Sequence, residues 1–119
     1  MARDACAYLW DIQEACIRIT RYTQHSSYDA YAADDLLRSA VERQFEIAGE
    51  ALSQLSKLNP DLASRIPAHR QIISFRNALI HGYAAIDHQR VWQQVEEGIP
   101  KLHLVVGTLL TELDPTSKA

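Results

Sequence analysis

The sequence of 119 residues predicts an all-α protein, an antiparallel bundle of four main helices with one additional short helix. Gly and Pro are scarce, at four each, while Ala, Leu, Gln, Glu and Arg are abundant. Apolar residues also recur at steps of three and four in several long stretches, which is the helical period. The length suits one domain. We expect a single helical domain over residues 1–113, followed by a polar C-terminal tail over residues 114–119.

The first two helices are predicted in the N-terminal half. The first runs from about Asp4 to Tyr22, and the polar segment from Gln24 to Ser27 is a turn. The second is a long helix from about Tyr31 to Lys57. The apolar stripes that define them are Leu9, Ile12, Cys16 and Ile19 in the first helix, and Leu37, Val41, Phe45, Ala48, Leu52 and Leu55 in the second.

Capping residues define the next two helices. Asn59 is expected to be an N-cap and Pro60 the first residue of a single short turn that reaches Arg65. Pro67 is expected to open the third main helix, and Gly82 suits a left-handed C-terminal cap. The apolar residues of this third helix are Ile72, Ile73, Phe75, Leu79 and Ile80.

The last helix begins after Asp87, a predicted N-cap, and carries the most regular stripe. Pro100 interrupts it and removes one backbone donor. Since the stripe keeps its phase across this residue, we expect one kinked helix rather than two separate ones. The stripe consists of Trp92, Val95, Ile99, Leu102, Val106, Leu109 and Leu113.

Charge and apolar content limit the classes of partner. The net charge of −3 argues against a broad basic surface for nonspecific binding of duplex nucleic acid, although a small RNA site remains compatible with it. The N-terminal apolar run over residues 5–10 is too short for a signal peptide core or a membrane span. We therefore expect a cytoplasmic protein with no membrane contact.

The cysteine and histidine patterns give no metal or cofactor signal. Cys6 and Cys16 lie ten positions apart on one predicted helix, or about 15 Å along its axis, which is beyond disulfide reach. We expect both to be reduced thiols. The sequence has no CxxC or HExxH motif, so no metal site and no cofactor are predicted.

The segment over residues 76–83, RNALIHGY, concentrates the reactive side chains. RNA cleavage without a metal requires a base for the 2′-hydroxyl proton, and the imidazole of His81 can serve as that base because imidazole titrates near neutrality. It also requires a cation for the phosphate, and the Arg76 guanidinium can donate two hydrogen bonds to phosphate oxygens. The segment therefore favours phosphodiester chemistry.

Arg76 and His81 would point in different directions on a straight helix, about 140° apart at 100° per residue. Two arrangements bring them together. The helix can end near Ile80, or the pair can complete a site with the same pair from a second subunit across a two-fold axis. Asn77 shares a face with His81, and its amide can hydrogen-bond the imidazole and fix its tautomer.

The same segment resembles the Arg–polar–spacer–His signature of the HEPN superfamily, and its extension to Tyr83 resembles the Arg-x4-His-x-Tyr motif of the HepT-like group. The resemblance covers residues 35 to 110. Outside the motif it includes Glu42-Arg43, the run from Glu46 to Ala51, Pro60, Ile66-Pro67, Ile86-Asp87, Val91-Trp92 and Pro100.

The resemblance implies a HEPN-like homodimer that acts as the toxin of a type VII-like toxin–antitoxin system and cleaves RNA as a metal-independent endoribonuclease. It implies that His81 is the general base or acid, that Arg76 binds the phosphate and stabilises the transition state, and that Asn77 orients or assists. It also implies a cognate antitoxin, a minimal nucleotidyltransferase of the MntA type. This partner would silence the toxin by transferring AMP from ATP to Tyr83.

Two questions stay open from sequence. Arg43, Glu46 and Glu50 form a charged row on the second helix, either an ordinary solvated face or the lining of the RNA cleft or subunit face. The chain could also be a non-catalytic HEPN module that binds a nucleotide or a nucleotidyltransferase partner. A third reading is a helical dimerisation domain in which the Arg-x4-His spacing is incidental.

Overall fold

The computed structural model of the protein describes residues 4–81 and 86–113. All regular secondary structure in these two ranges is helical, so the predicted all-α class is confirmed for them. A π-helical turn, Gln94–Gly98, connects the last two helices. The helices are α1 (Ala5–Thr23), α2 (Tyr28–Ala33), α3 (Asp35–Leu58), α4 (Pro60–Ser64), α5 (His69–Ile80), α6 (His88–Gln93) and α7 (Ile99–Leu113).

The core lies where α1 packs against α3 and α7. The apolar stripes predicted for these helices supply it, because residues three and four apart share one helix face. The stripe of α1 is fully buried, and on α3 the stripe is buried from Val41 onward. The largest fully buried aliphatic side chains of the core include Leu9, Ile12, Ile19, Val41, Leu52, Leu55, Val106 and Leu109.

The predicted second helix is wrong at its start, because the structure divides this region into α2 and α3. Asp34 has an extended backbone, and its carboxylate accepts a hydrogen bond from the Leu37 N–H at 3.0 Å. A residue in this conformation caps a new helix and cannot continue the preceding one. Ser27 caps α2 in the same way through the Ala30 N–H. The predicted turn before α2 is confirmed.

The short helix α4 begins as predicted. Asn59 Oδ1 accepts a hydrogen bond from the Leu62 N–H at 3.1 Å, and Pro60 is the first helical residue. The following helix, α5, begins at His69 rather than at Pro67. Ala68 has a φ of 61°, in the left-handed region, and a right-handed helix cannot pass through that conformation.

The C-terminal helical region is continuous from His88 to Leu113, as the phase of its stripe predicts. Asp87 caps it by accepting hydrogen bonds from the N–H groups of Gln89 and Arg90. The π-helical turn ends immediately before Ile99 and Pro100, where the ladder loses a donor. The stripe from Trp92 to Leu109 is buried, whereas Leu113, its last predicted member, is exposed.

The helix α5 packs mainly against α3 and lies at the edge of the bundle. Of its predicted apolar residues only Leu79 is buried. Ile72, Ile73 and Phe75 are half-buried, and Ile80 is 46% exposed. This helix therefore retains a partly uncovered apolar surface.

The remaining predictions concern the cysteines, membrane spans, the Gly82 cap and the C-terminal tail. Cys6 and Cys16 form no disulfide with each other, and burial raises the pKa of the Cys16 thiol to about 12. Across residues 4–81 and 86–113, no helix has the length and apolar character that a bilayer span requires. Gly82, Tyr83 and the tail over 114–119 lie outside the described residues.

Candidate functional site

A cavity of about 400 Å³ lies between α1, α3 and α5. Its charged side chains are three carboxylates and two guanidinium groups. The lining residues are Tyr8 and Asp11 from α1, Arg43, Glu46, Ile47, Glu50, Ala51 and Gln54 from α3, and Arg76 and Ile80 from α5.

Arg76 is the most firmly held cation of this cavity. Its side chain is 24% exposed, and Nη2 donates to Glu50 Oε2 at 2.5 Å. Its Nη1 donates to Asn77 Oδ1 at 2.7 Å. The Nε is buried and makes no hydrogen bond to the described residues. Arg76 is thus fixed through both terminal nitrogens, one of them bound to a carboxylate from another helix.

Gly49 allows α3 and α5 to approach closely at this point. A Cβ on Gly49 would lie 2.7 Å from Arg76 Cγ and closer still to Arg76 Cβ. Real side chains do not tolerate such an overlap, so a larger residue would separate the two helices. The missing side chain therefore lets the stem of Arg76 cross directly over α3.

Glu50 is itself oriented by a neighbour on α3. Gln54 Nε2 donates to Glu50 Oε1 at 3.0 Å, which leaves Oε2 directed to Arg76. The spacing of four residues places Glu50 and Gln54 on one helix face. Gln54, Glu50, Arg76 and Asn77 consequently form a continuous string of side-chain hydrogen bonds.

Arg43 is a second, looser cation of the cavity. It lines the same space as Arg76, but its side chain is 67% exposed, and its Nη1 lies 3.4 Å from Glu46 Oε1. An exposed pair at this distance contributes little to stability. Arg43 therefore both borders the cavity and remains accessible to solvent.

His81 is the C-terminal cap residue of α5 and is exposed. Its N–H donates to the Asn77 carbonyl at 3.1 Å, and α5 ends at Ile80, where the first of the two sequence-based arrangements places the helix end. Among the described residues, neither His81 nor Asn77 belongs to the cavity lining. The structure of one chain thus brings Arg76 together with Arg43, Glu46 and Glu50, whereas His81 lies at the adjacent helix end.

Three polar cavity residues were not predicted from sequence as part of a site: Tyr8, Asp11 and Gln54. Gly49, which lies against Arg76, was not predicted either. Tyr8 and Asp11 reach the cavity only because α1 packs beside α3, which the linear sequence does not encode locally. Gly49 does carry a signal. A glycine inside a long helix costs about 1 kcal/mol relative to alanine, so its presence there indicates a close approach.

The side chains of His, Cys, Asp and Glu are the usual protein ligands of metal ions. Within residues 4–81 and 86–113, no group of three or more of these side chains is arranged to hold an ion. The polar residues of the cavity instead pair acid with base.

Comparison of the sequence with known proteins assigns the chain to a family. A family model described as "Ribonuclease HepT-like" matches residues 12–109. The matched range contains every residue of α3 and α5 that lines the cavity. The chain belongs to the HepT-like ribonuclease family.

Individual relatives agree with this assignment of the HepT-like chain. It is 34% identical over 102 residues to "Probable ribonuclease HepT" of Thermococcus cleftensis, covering 86% of this chain and 92% of the relative. It is 33% identical over 102 residues to "Putative RNase MJ1380" of Methanocaldococcus jannaschii, covering 84% and 91%. A second protein of that organism, "Putative RNase MJ1216", is 30% identical over 112 residues, covering 94% and 92%. No solved structure gives a significant match.

Proposed function

We propose that this HepT-like protein is a metal-independent endoribonuclease that acts as the toxin of a type VII-like toxin–antitoxin system. The observation that carries the proposal is the Arg76 guanidinium, held at the cavity between α1, α3 and α5 by Glu50 and Asn77, five residues before an exposed His81. Membership of the HepT-like ribonuclease family supports the same activity.

The proposed reaction uses the RNA's own 2′-hydroxyl as nucleophile. His81 takes the 2′ proton, the 2′ oxygen bonds to phosphorus, and the bond from phosphorus to the 5′ oxygen breaks. An imidazolium returns a proton to the departing 5′ oxygen, which leaves a 2′,3′-cyclic phosphate and a 5′-hydroxyl. Arg76 stabilises the charge that develops on the phosphate oxygens, and Asn77 orients the site. Arg43 lies where it can contact the RNA backbone.

We infer that the active form is a homodimer. The apolar residues of α5 are only partly covered by α3, and Ile80 beside the cavity is exposed. His81 does not line the cavity of its own chain, so a second copy would bring the imidazole of one subunit to the guanidinium of the other. Sedimentation equilibrium at micromolar concentration tests this inference, and a strict monomer that cleaves RNA would contradict it.

We further propose that a minimal nucleotidyltransferase antitoxin of the MntA type neutralises the protein by transferring AMP to Tyr83. This residue lies two positions after His81 in the sequence. An adenylate there would bring bulk and a negative phosphate beside the catalytic imidazole, and would exclude the RNA backbone. The intact mass of the protein, purified with and without such a partner, tests the modification.

The decisive experiment is cleavage of total RNA and a tRNA pool by purified protein in EDTA. We expect wild type to cleave and to leave 2′,3′-cyclic phosphate ends. His81→Ala and Arg76→Ala are expected to lose about 10²–10⁴-fold in rate, as removal of an acid–base or charge-stabilising group does, while remaining folded. Absence of cleavage by unmodified wild type would favour the non-catalytic module that binds a nucleotide or a nucleotidyltransferase.

A further inference from the structure

The string from Gln54 through Glu50 to Arg76 links α3 to the motif helix α5. Glu50 and Arg76 are 26 positions apart in sequence, yet their side chains meet at 2.5 Å. The second oxygen of the same carboxylate accepts a hydrogen bond from Gln54 Nε2 at 3.0 Å. Both oxygens of Glu50 are therefore used, and its carboxylate has a defined orientation.

The hydrogen bond to Glu50 leaves the Arg76 guanidinium with enough N–H donors to bind a phosphate. Each terminal guanidinium nitrogen carries two hydrogens. Nη2 donates one hydrogen bond to Glu50 and Nη1 donates one to Asn77. One hydrogen on each terminal nitrogen therefore stays available. A phosphate can thus bind Arg76 without displacing either partner. The number of free N–H donors therefore favours a role for Glu50 in holding the guanidinium rather than in preventing phosphate binding.

The long side chain of Arg76 also needs such a partner to stay in one place. Its stem crosses α3 at Gly49, where the two helices are too close for a side chain. From that crossing the guanidinium extends into a cavity that contains two further carboxylates, Asp11 and Glu46. Without Glu50 the guanidinium could turn toward either of them, because both border the same space.

We propose that Glu50 is a positioning residue that fixes the Arg76 guanidinium for phosphate binding, and that Gln54 fixes Glu50 in turn. This inference rests on the proposed ribonuclease activity and deepens it, because it assigns roles to two residues outside the Arg-x4-His-x-Tyr motif. Glu50 acts through Arg76 and does not contact the RNA in this scheme. Its neighbour Glu46 pairs with Arg43 and has no part in it.

The test compares kcat and KM for a defined RNA among Glu50→Ala, Glu50→Gln and Gln54→Ala. We expect Glu50→Ala to lower kcat about 10–100-fold, the penalty of a misplaced catalytic group, with KM changed by no more than about threefold. Glu50→Gln should recover part of the loss, since its amide oxygen can still accept from Arg76 without the charge. Gln54→Ala should show a smaller loss in the same direction.

Glu112→Ala is the matched control. Glu112 forms an ion pair with Arg65 at 2.9 Å and is 46% exposed, against 47% for Glu50, but it lies outside the cavity. Its loss should leave kcat and KM as in wild type. In the Arg76→Ala background, adding Glu50→Ala should cause no further loss, because the two residues then act as one unit.

Other outcomes would overturn the inference. A fall in KM with unchanged or higher kcat in Glu50→Gln would show that the carboxylate competes with RNA. Unchanged kinetics in Glu50→Ala, or an equal loss in the Arg76→Ala background, would show that Glu50 does not act through Arg76. Wild type that cleaves no RNA would instead overturn the proposed function itself, and this result is distinguishable because it precedes any comparison of variants.

Discussion

The core helices α1 and α3 and the motif helix α5 are held in the protein by different contacts. Leu9 and Ile12 of α1 and Leu52 of α3 have no exposed surface, whereas α5 buries only Leu79. Phe75 of α5 packs edge-on against Phe45 of α3, with the ring centroids 5.2 Å apart. Beyond such partly buried apolar contacts, α5 is held by the close crossing at Gly49 and the hydrogen bonds of Arg76. The comparison teaches that stability resides mainly in the α1–α3–α7 core, while the geometry of the site depends on a few local contacts.

The start of α5 also differs from the starts of the other helices in how it is capped. Asp4, Ser27, Asp34, Asn59 and Asp87 each cap a helix with a side-chain oxygen. The start of α5 has no such hydrogen bond, and its cap position is a left-handed alanine. A helix that starts without a cap and is covered on one side is easier to displace than its neighbours.

The largest effect is expected from the core. Leu52→Ala removes a fully buried side chain and should cost about 2–5 kcal/mol of unfolding free energy, because it leaves a cavity that the surroundings cannot close. Urea denaturation measures the loss. Leu36→Ala on the same helix is the control, since Leu36 is 77% exposed and should change stability by no more than about 0.5 kcal/mol. Equal effects at the two positions would contradict this account of the core.

A smaller effect is expected where the two regions meet. Gly49→Ala would force α3 and α5 apart and should cost about 1–3 kcal/mol, as overpacking generally does. RNA cleavage by the folded variant should fall as well, because Arg76 is displaced. Thermal unfolding and cleavage rates are measured together.

Gly98→Ala is the matched control for this substitution. The Cβ added at Gly98 would meet Gln94 Oε1, the end of a flexible side chain that can move aside. We expect wild-type cleavage and a smaller loss of stability. If Gly49→Ala were as active as Gly98→Ala, the close crossing would have no part in positioning Arg76.

The smallest effect is expected at the start of α5. Ala68→Gly relieves a left-handed φ of 61° and should stabilise the protein by about 0.5–1 kcal/mol, since glycine adopts this conformation without a Cβ penalty. Ala40→Gly, in the regular backbone of α3, should have the opposite sign, a loss of about 1 kcal/mol. Denaturant midpoints measure both, and a destabilised Ala68→Gly would show that α5 gains nothing from a relaxed start.

The helical architecture was largely predictable because its determinants are local. Periodic apolar residues and capping side chains placed α1, α4 and the region from His88 to Leu113. The break at Asp34 was not predicted, although aspartate and serine at helix starts are the relevant signal. It coincides with a tertiary contact, because Tyr31 is fully buried with its ring centroid 5.2 Å from that of Trp92.

The motif of the candidate site was predictable from sequence, and for the charged row of Arg43, Glu46 and Glu50 a place in the cleft was one of two alternatives. The residue types of Arg76, Asn77 and His81 suggested phosphodiester chemistry from sequence, and their catalytic roles stay predictions. Glu50 is indistinguishable in the sequence from an exposed glutamate of a solvated helix face. Its contact with Arg76 depends on how α5 crosses α3. No local sequence pattern encodes that crossing.

The sequence by itself determined the helices, the buried stripes and the reactive segment, because periodicity, capping and residue chemistry act between neighbours in the chain. Only the tertiary structure decided which side chains share the cavity with Arg76. It brings Tyr8 and Asp11 of α1 to the cavity that Arg76 lines, and it joins Glu50 to Arg76 across 26 positions. The physical reason is that this meeting requires two helices to cross closely at Gly49, and such a crossing is fixed by the packing of the whole bundle.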